Sequence, residues 1–174
     1  MDRNNLPYRR NCEGYLLCKD GNVIVRDTGK DYLEFPGGGV DENEDPAKAL
    51  EREAYEEAGV ILDGTLKKVN VLHFIWGSTW AKSEKQKQRY RQFKGEEMHF
   101  YTGNVKELVQ AKGDGKEEGW KGEVSMLIED AINKLESFKP FTEDVREYRK
   151  IQLEILKVLV RGQASSWGFG AASE

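Results

Sequence analysis

The sequence predicts a mixed β-sheet with helices on both faces, an α+β fold. Three observations carry this expectation. Short apolar, β-branched runs recur along the chain, and helical stretches fall among them without a regular strand–helix alternation. Asp20-Gly21 lies between two such runs and marks a hairpin. Residues 46–58 form a helix bounded at both ends, with Asp45 as N-cap, Pro46 in the first helical position and Gly59 where the helix stops.

Taken in order, residues 1–10 read as a polar arm and "GYLLCKDGNVIVRD" as a strand pair. Gly29 and Lys30 signal another turn. "YLEFPGGGV" reads as a short strand ending in a glycine-rich loop, and the capped helix 46–58 follows. Residues 65–77 read as a strand. The stretch "AKSEKQKQRYRQFKG" (81–95) carries six Lys or Arg against one Glu and reads as a mobile, solvated insertion before a strand at 96–105. Residues 110–124 are a charged, glycine-rich loop. Ser125 is the expected cap of a helix over 125–135. A longer helix over 142–160 has acids in its first turns and Ile151, Ile155, Val158 and Leu159 at helical spacing.

The 174 residues fit one domain with terminal extensions. Apolar residues make up 38% and charged residues 33%, a globular composition with a very polar surface. A net charge of −4 gives no overall basic signature for nucleic acid. Cys12 and Cys18, six residues apart on one strand, are too far apart for a disulfide and read as reduced, buried side chains, in keeping with a cytoplasmic protein. The N-terminus lacks the apolar segment of a signal peptide, and no apolar run is long enough to span a membrane.

The helix 46–58 holds the chemistry. Ala47, Leu50, Ala54 and Ala58 form a narrow apolar stripe. Glu53, Glu56 and Glu57 gather on the neighbouring face, because residues three and four apart are neighbours on a helix surface. Each such like-charge pair costs about 0.2–0.5 kcal/mol. The acids also sit toward the end of the helix where the macrodipole opposes them. A bound divalent cation reverses the sign of both effects. An EF-hand reading of the loop from Asp41 fails, because Pro46 and Arg52 stand where that loop needs Gly and Glu.

These acids sit in a fixed frame: Gly38, Glu44, Arg52, Glu53, Ala54, Glu56, Glu57, Gly59 and Val60. The spacing G-x5-E-x7-R-E-U-x-E-E-x-G-U, with U apolar, is the Nudix box, and the chain resembles the Nudix hydrolase family. The resemblance implies an α/β/α sandwich over residues 11–136. It leaves 1–10 as an arm, 137–160 as a helical extension packed on the domain and 161–174 as a flexible tail. It further implies a pyrophosphohydrolase, in which metal-activated water attacks a pyrophosphate in a nucleoside diphosphate linked to another moiety. Mg²⁺ is the implied cofactor, with Mn²⁺ as a substitute. Glu53, Glu56 and Glu57 match the metal-binding cluster and Gly37 a backbone carbonyl of the metal shell. Arg52 matches the residue that orients the acids, and Glu44 the one that braces the loop.

The general base stays open between a box glutamate and Glu117 or Glu118 of the later loop. Lys85, Lys87, Arg89 and Arg91 are candidate phosphate or RNA contacts, with Tyr90 or Phe93 for stacking; Arg89, Arg91 and Glu118 are the residues assigned to substrate. Trp76, Trp80 and Trp120 read as packing residues or a nucleobase platform, and His73 and His99 as hydrogen-bonded structural residues. A nucleotide sensor of the same fold and an RNA-processing, decapping-type enzyme using residues 81–95 are the alternative functions. The long C-terminal helix is compatible with packing on its own domain or on a second copy in a homodimer.

Overall fold

A computed structural model describes residues 2–139 and 142–166 of the chain. After a 3-10 turn at Arg3–Asn5, the elements are β1 (Tyr8–Leu17), β2 (Asn22–Ile24), β3 (Arg26–Asp27), β4 (Leu33–Glu34), β5 (Gly37–Gly39), α1 (Pro46–Ala58), β6 (Val60–Leu62), β7 (Lys67–Ile75), α2 (Glu84–Gln92), β8 (Gly95–Leu108), β9 (Ser125–Leu127), α3 (Ile128–Ser137) and α4 (Glu143–Ser166).

Seven strands form one mixed sheet. Its spine is the parallel pair β1–β8, in register from Tyr8↔Gly95 to Leu17↔Asn104. Antiparallel β7 and β6 pair with the other edge of β8, while β2 and β5 pair with β1. β9 closes the sheet beside β2. The two-residue alternation of β1 and β8 sorts their side chains between two apolar layers. Cys12, Leu16, Tyr101 and Val105 face α1, where Ala49, Leu50, Ala54 and Ala58 are buried. Tyr15, Met98 and Phe100 face the opposite layer, built from Ile128, Ala131 and Leu135 of α3 and Ile155 and Leu156 of α4. The mixed sheet with helices on both faces is thus the architecture the sequence predicts.

α1 keeps its expected bounds. The Asp45 carboxylate accepts from the Ala47 amide at 2.8 Å, and Gly59 ends the helix at φ 66°. Its small side chains let it lie close to the sheet; Leu50 covers Gly14, where even a methyl group would approach it to 2.8 Å.

Four elements differ from the sequence reading. The strand at the N-terminus starts at Tyr8, inside the expected arm, because Tyr8–Arg10 pair with Gly95–Glu97 of β8, a partner distant in sequence. The glycine-rich loop is itself a strand: Gly37–Gly39 pair with Asn11–Glu13. Ser125 lies in β9, and α3 begins at Ile128 without a side-chain cap. The basic stretch contains a helix, α2, closed by a capping box in which Ser83 accepts from the Gln86 amide at 3.2 Å and Gln86 accepts from the Ser83 amide at 2.9 Å. No residue of α2 is buried, so it shows no apolar period to read. Its C-terminal end is held from outside by Arg3, which donates to the Tyr90, Phe93 and Lys94 carbonyls and lies over the Tyr90 ring.

α4 runs through Ser166, and the part of the expected tail beyond it lies outside the described residues. A buried polar joint ties α4 to the sheet. Tyr148 and Gln152 of α4, with Tyr15, donate to the Glu13 carboxylate, whose strand pairs Glu13 with Gly37. Burial raises the pKa of Glu13, and three donors satisfy it. Leu156 is fully buried in the same layer. Leu156→Ala is expected to cost about 2–5 kcal/mol, read as a lower urea midpoint at unchanged slope. A loss below about 1 kcal/mol would mean that α4 is not part of the core. Among the described residues, no helix is long and apolar enough to cross a membrane.

Candidate active site

β5 and α1 bring the acids together. The Gly37 amide donates to Glu57 Oε2 at 3.0 Å, and Gly38 lies against the Glu53 carboxylate, where a side-chain carbon would come within 2.7 Å. A side chain at Gly38 would push the Glu53 carboxylate from its place. The glycine-rich run is therefore the surface against which the acidic face of α1 is set.

Arg52 organises the group. Its Nε and Nη2 fork onto the two oxygens of Glu44 at 3.1 and 3.0 Å. Nη1 donates to Glu53 at 2.8 Å and Glu56 at 3.4 Å, and Nη2 also donates to the Gly39 carbonyl at 3.2 Å. Glu44 in turn accepts from the Asp41 amide at 3.0 Å, tying the loop to the helix. Its carboxyl is held below its ordinary range mainly by the Arg52 hydrogen bonds. One guanidinium thus fixes three of the four acids and the backbone beside them.

Glu57 takes no hydrogen bond from Arg52 and is held by the Gly37 amide. Burial pushes its pKa up to about 8; the Gly37 amide offsets part of this, and the Glu53 charge adds to it. Burial also raises Glu53, against the pull of Arg52. Two carboxylates that resist ionising side by side need a cation to stabilise both charges. Among the described residues, no three acids or imidazoles yet converge tightly enough to enclose a metal. The hydrogen bonds explain this: Arg52 draws Glu53 and Glu56 to itself, and Gly37 holds Glu57. The donor set is all hard oxygen and open to a cleft, and it fits a divalent cation such as Mg²⁺ or Mn²⁺.

The cleft in front of these acids has a volume of about 610 Å³. Glu53 and Glu57 line one side. Arg9, Lys85, Arg89 and Lys116 also line it, brought from β1, α2 and the loop before β9. Arg9, Glu34, Glu96, Asp114 and Lys116 were not singled out in the sequence, and no local motif marks them. Glu34 takes the Arg26 guanidinium, with Nε at 2.9 Å, and adds to the charge around Glu57.

The other candidates separate. Lys85 and Arg89, four residues apart on α2, line the cleft; Lys87 and Arg91 do not, and Lys87 pairs with Glu84 at 2.7 Å. Glu117 lines the cleft and bonds Lys85 at 3.3 Å, whereas Glu118 pairs with Lys121 and does not line the cleft; both acids line the smaller acidic pocket by Glu53, Glu56 and Glu57. Trp76 and Trp80 stack on each other, with centroids 3.7 Å apart, and Trp120 is buried beneath Arg26. His73 and His99 share the Glu97 carboxylate, at 2.9 and 2.7 Å.

The NUDIX domain family model matches residues 7–147. The RNA pyrophosphohydrolase of Sphingopyxis alaskensis is 44% identical over 64 residues, which span 34% of this chain and 40% of that protein. Diphosphoinositol polyphosphate phosphohydrolase 2 of Rattus norvegicus is 29% identical over 152 residues, covering 86% of this chain and 74% of that one. The crystal structure of MutT NUDIX hydrolase from Burkholderia pseudomallei superposes with a TM-score of 0.50 at 18% identity, over 82% of this chain and 95% of that one, a likeness of fold.

Proposed function

The chain belongs to the Nudix hydrolase family, and on that premise we propose that it cleaves the pyrophosphate bond of a nucleoside diphosphate linked to another moiety, using a divalent cation, Mg²⁺ by preference. The observation that carries this reading is the half-buried pair Glu53 and Glu57, set against Gly37 and Gly38 and lining a cleft that Arg9, Lys85, Arg89 and Lys116 also line.

A divalent cation bound there neutralises phosphate charge and lowers the pKa of a bound water. Glu53 and Glu57 would hold it, with Glu56 as the further ligand and the Gly37 carbonyl beside them. Arg52 keeps Glu53 and Glu56 on that face of the helix, and Glu44 fixes Arg52. The missing side chain at Gly38 lets the strand stand against Glu53. Between the two loop acids, Glu117 is better placed than Glu118 to take a proton from water, because it lines the cleft itself. Reduced Cys12 and Cys18 accord with a cytoplasmic setting.

A second reading has a specific observation in its favour. Lys85 and Arg89 of the basic stretch line the cleft, which accords with a 5′-triphosphate RNA end as substrate. A panel of nucleoside triphosphates, nucleoside diphosphate sugars, dinucleoside polyphosphates and 5′-triphosphate RNA, with phosphate and nucleotide products followed, tests both. Turnover is expected with Mg²⁺ and none with excess chelator. Turnover that persists in chelator, or nucleotide binding without turnover on any member, would overturn the reading, the latter in favour of a sensor.

A further inference from the structure

α2 lines the cleft with Lys85 and Arg89, yet none of its residues is buried. A helix of 9 residues with no apolar face packed on the protein does not keep its place through helix formation alone. Its first turn is closed by the Ser83–Gln86 capping box, and the Lys85–Glu117 ion pair ties it across the cleft. Both side chains of that pair are exposed, so the tie is weak. The firm attachment is at the other end. Phe93 closes the last turn by donating to the Arg89 carbonyl at 2.9 Å. The Lys94 amide would continue the helix onto Tyr90, but it donates to the Pro7 carbonyl at 3.0 Å, beside the start of the β1–β8 pair. The Tyr90 carbonyl thereby loses its helical partner, and Arg3 Nη1 supplies the donor instead. Nη2 of the same guanidinium donates to the Phe93 and Lys94 carbonyls at 3.1 and 3.3 Å, and the guanidinium carbon lies 3.3 Å from the centre of the Tyr90 ring. Lys94 Nζ returns a hydrogen bond to the Asn4 carbonyl at 3.3 Å. A cation at this end of a helix also complements the macrodipole.

We infer that Arg3 is a positioning residue of the active site: by locking the C-terminal end of α2 to the 3-10 turn at Arg3–Asn5, it keeps Lys85 and Arg89 in the wall of the cleft. The inference rests on the pyrophosphohydrolase reading for its anionic substrate. Arg3 is not in the lining of the cleft and acts through α2. Arg89 immediately precedes Tyr90, whose carbonyl and ring Arg3 holds, and Lys85 lies one helical turn before Arg89. The direction of the effect follows from charge. Acids outnumber cations in the lining, so an α2 that swings away removes two of the few cations and leaves the cleft more repulsive to a phosphate chain. Glu53, Glu56 and Glu57 are held by Arg52 and Gly37 without any contribution from α2, so the loss falls on substrate binding and spares the acids.

Hydrogen exchange on the whole chain reads the latch directly. In Arg3→Ala, the amides of residues 87–93 are expected to lose protection by about tenfold or more, while those of α1 and α3 keep theirs. Arg3→Lys is expected to recover little, because one ammonium cannot meet three carbonyls and lie flat on the Tyr90 ring. On the best substrate of the panel, Arg3→Ala is expected to raise KM by about threefold or more, with kcat and the Mg²⁺ concentration for half-maximal rate unchanged. In a chain already carrying Lys85→Ala and Arg89→Ala, the same substitution is expected to leave KM where it is, because the groups that Arg3 positions are gone. Wild-type protection of residues 87–93 in Arg3→Ala overturns the latch. So does an equal rise in KM in both backgrounds, or a loss confined to kcat, since either would mean that Arg3 acts by another route. If no panel member turns over, the pyrophosphohydrolase reading fails by itself. The same chains are then compared by calorimetry for binding of inorganic pyrophosphate with Mg²⁺; the same pattern of loss is expected, and its absence overturns the inference.

Discussion

Glu57→Gln is expected to lower kcat by a factor on the order of 10²–10³, the effect of removing one preorganised electrostatic group from a reacting centre. The substitution changes charge and hardly changes shape. The substituted amide can still accept the Gly37 N–H through its carbonyl oxygen, so the strand and helix stay joined. What it lacks is the negative charge. A second measurement separates this loss from unfolding. Glu57 has its pKa raised from its ordinary 4.5 to about 8 in the folded chain. Between those values the folded state binds more protons than the unfolded one, so stability is full below about pH 4.5 and falls as pH rises to about 8. Metal-free wild type should therefore lose melting temperature across that window, and Glu57→Gln should lose much less. Mg²⁺ should stabilise the wild type more at pH 8 than at pH 5, because it selects the ionised carboxylate. Turnover of Glu57→Gln within threefold of wild type, or a melting curve with the same pH slope, would remove Glu57 from the centre of the site.

Arg52→Ala is the second large effect. The substitution leaves Glu44, Glu53 and Glu56 without their shared cation and frees the loop that Glu44 ties down. A residue that orients ligands in this way typically costs about 10–100-fold in activity or metal affinity. The expected signature is a higher Mg²⁺ concentration for half-maximal rate, together with lower kcat. Arg52→Lys should recover little, because an ammonium cannot fork onto Glu44 while also reaching Glu53 and Glu56. Wild-type cation dependence in either variant would show that the acids hold their places without Arg52.

The α1 region was the most legible part of the chain, because its signals are local. A cap, a helix stop and a three-and-four spacing are fixed within a few residues and survive into any fold that contains the helix. The same holds for the box glutamates and Arg52, whose contacts with one another stay mainly within one helix and the loop before it. The sheet with helices on both faces followed from the interleaving of strands and helices. The pairing partners did not follow, since β1 meets β8 across more than eighty residues and hydrophobic patterning does not encode which strand lies next to which. The misread elements share this cause. Gly37–Gly39 become a strand through a neighbour's backbone, and Tyr8–Arg10 join the sheet because β8 is there to receive them.

The sequence by itself therefore determined helix α1 with its acidic face and the family, both of which depend on residues close together in the chain. The tertiary structure alone decided the cleft. It set Gly37 and Gly38 against Glu57 and Glu53, and placed Lys85 and Arg89 of α2 and Arg9 of β1, but not Arg91, in the lining of one cleft. The physical reason is range. Capping and helical spacing act over a few residues, whereas the charge balance of a cleft depends on which distant side chains the packed sheet brings within a few ångströms of each other.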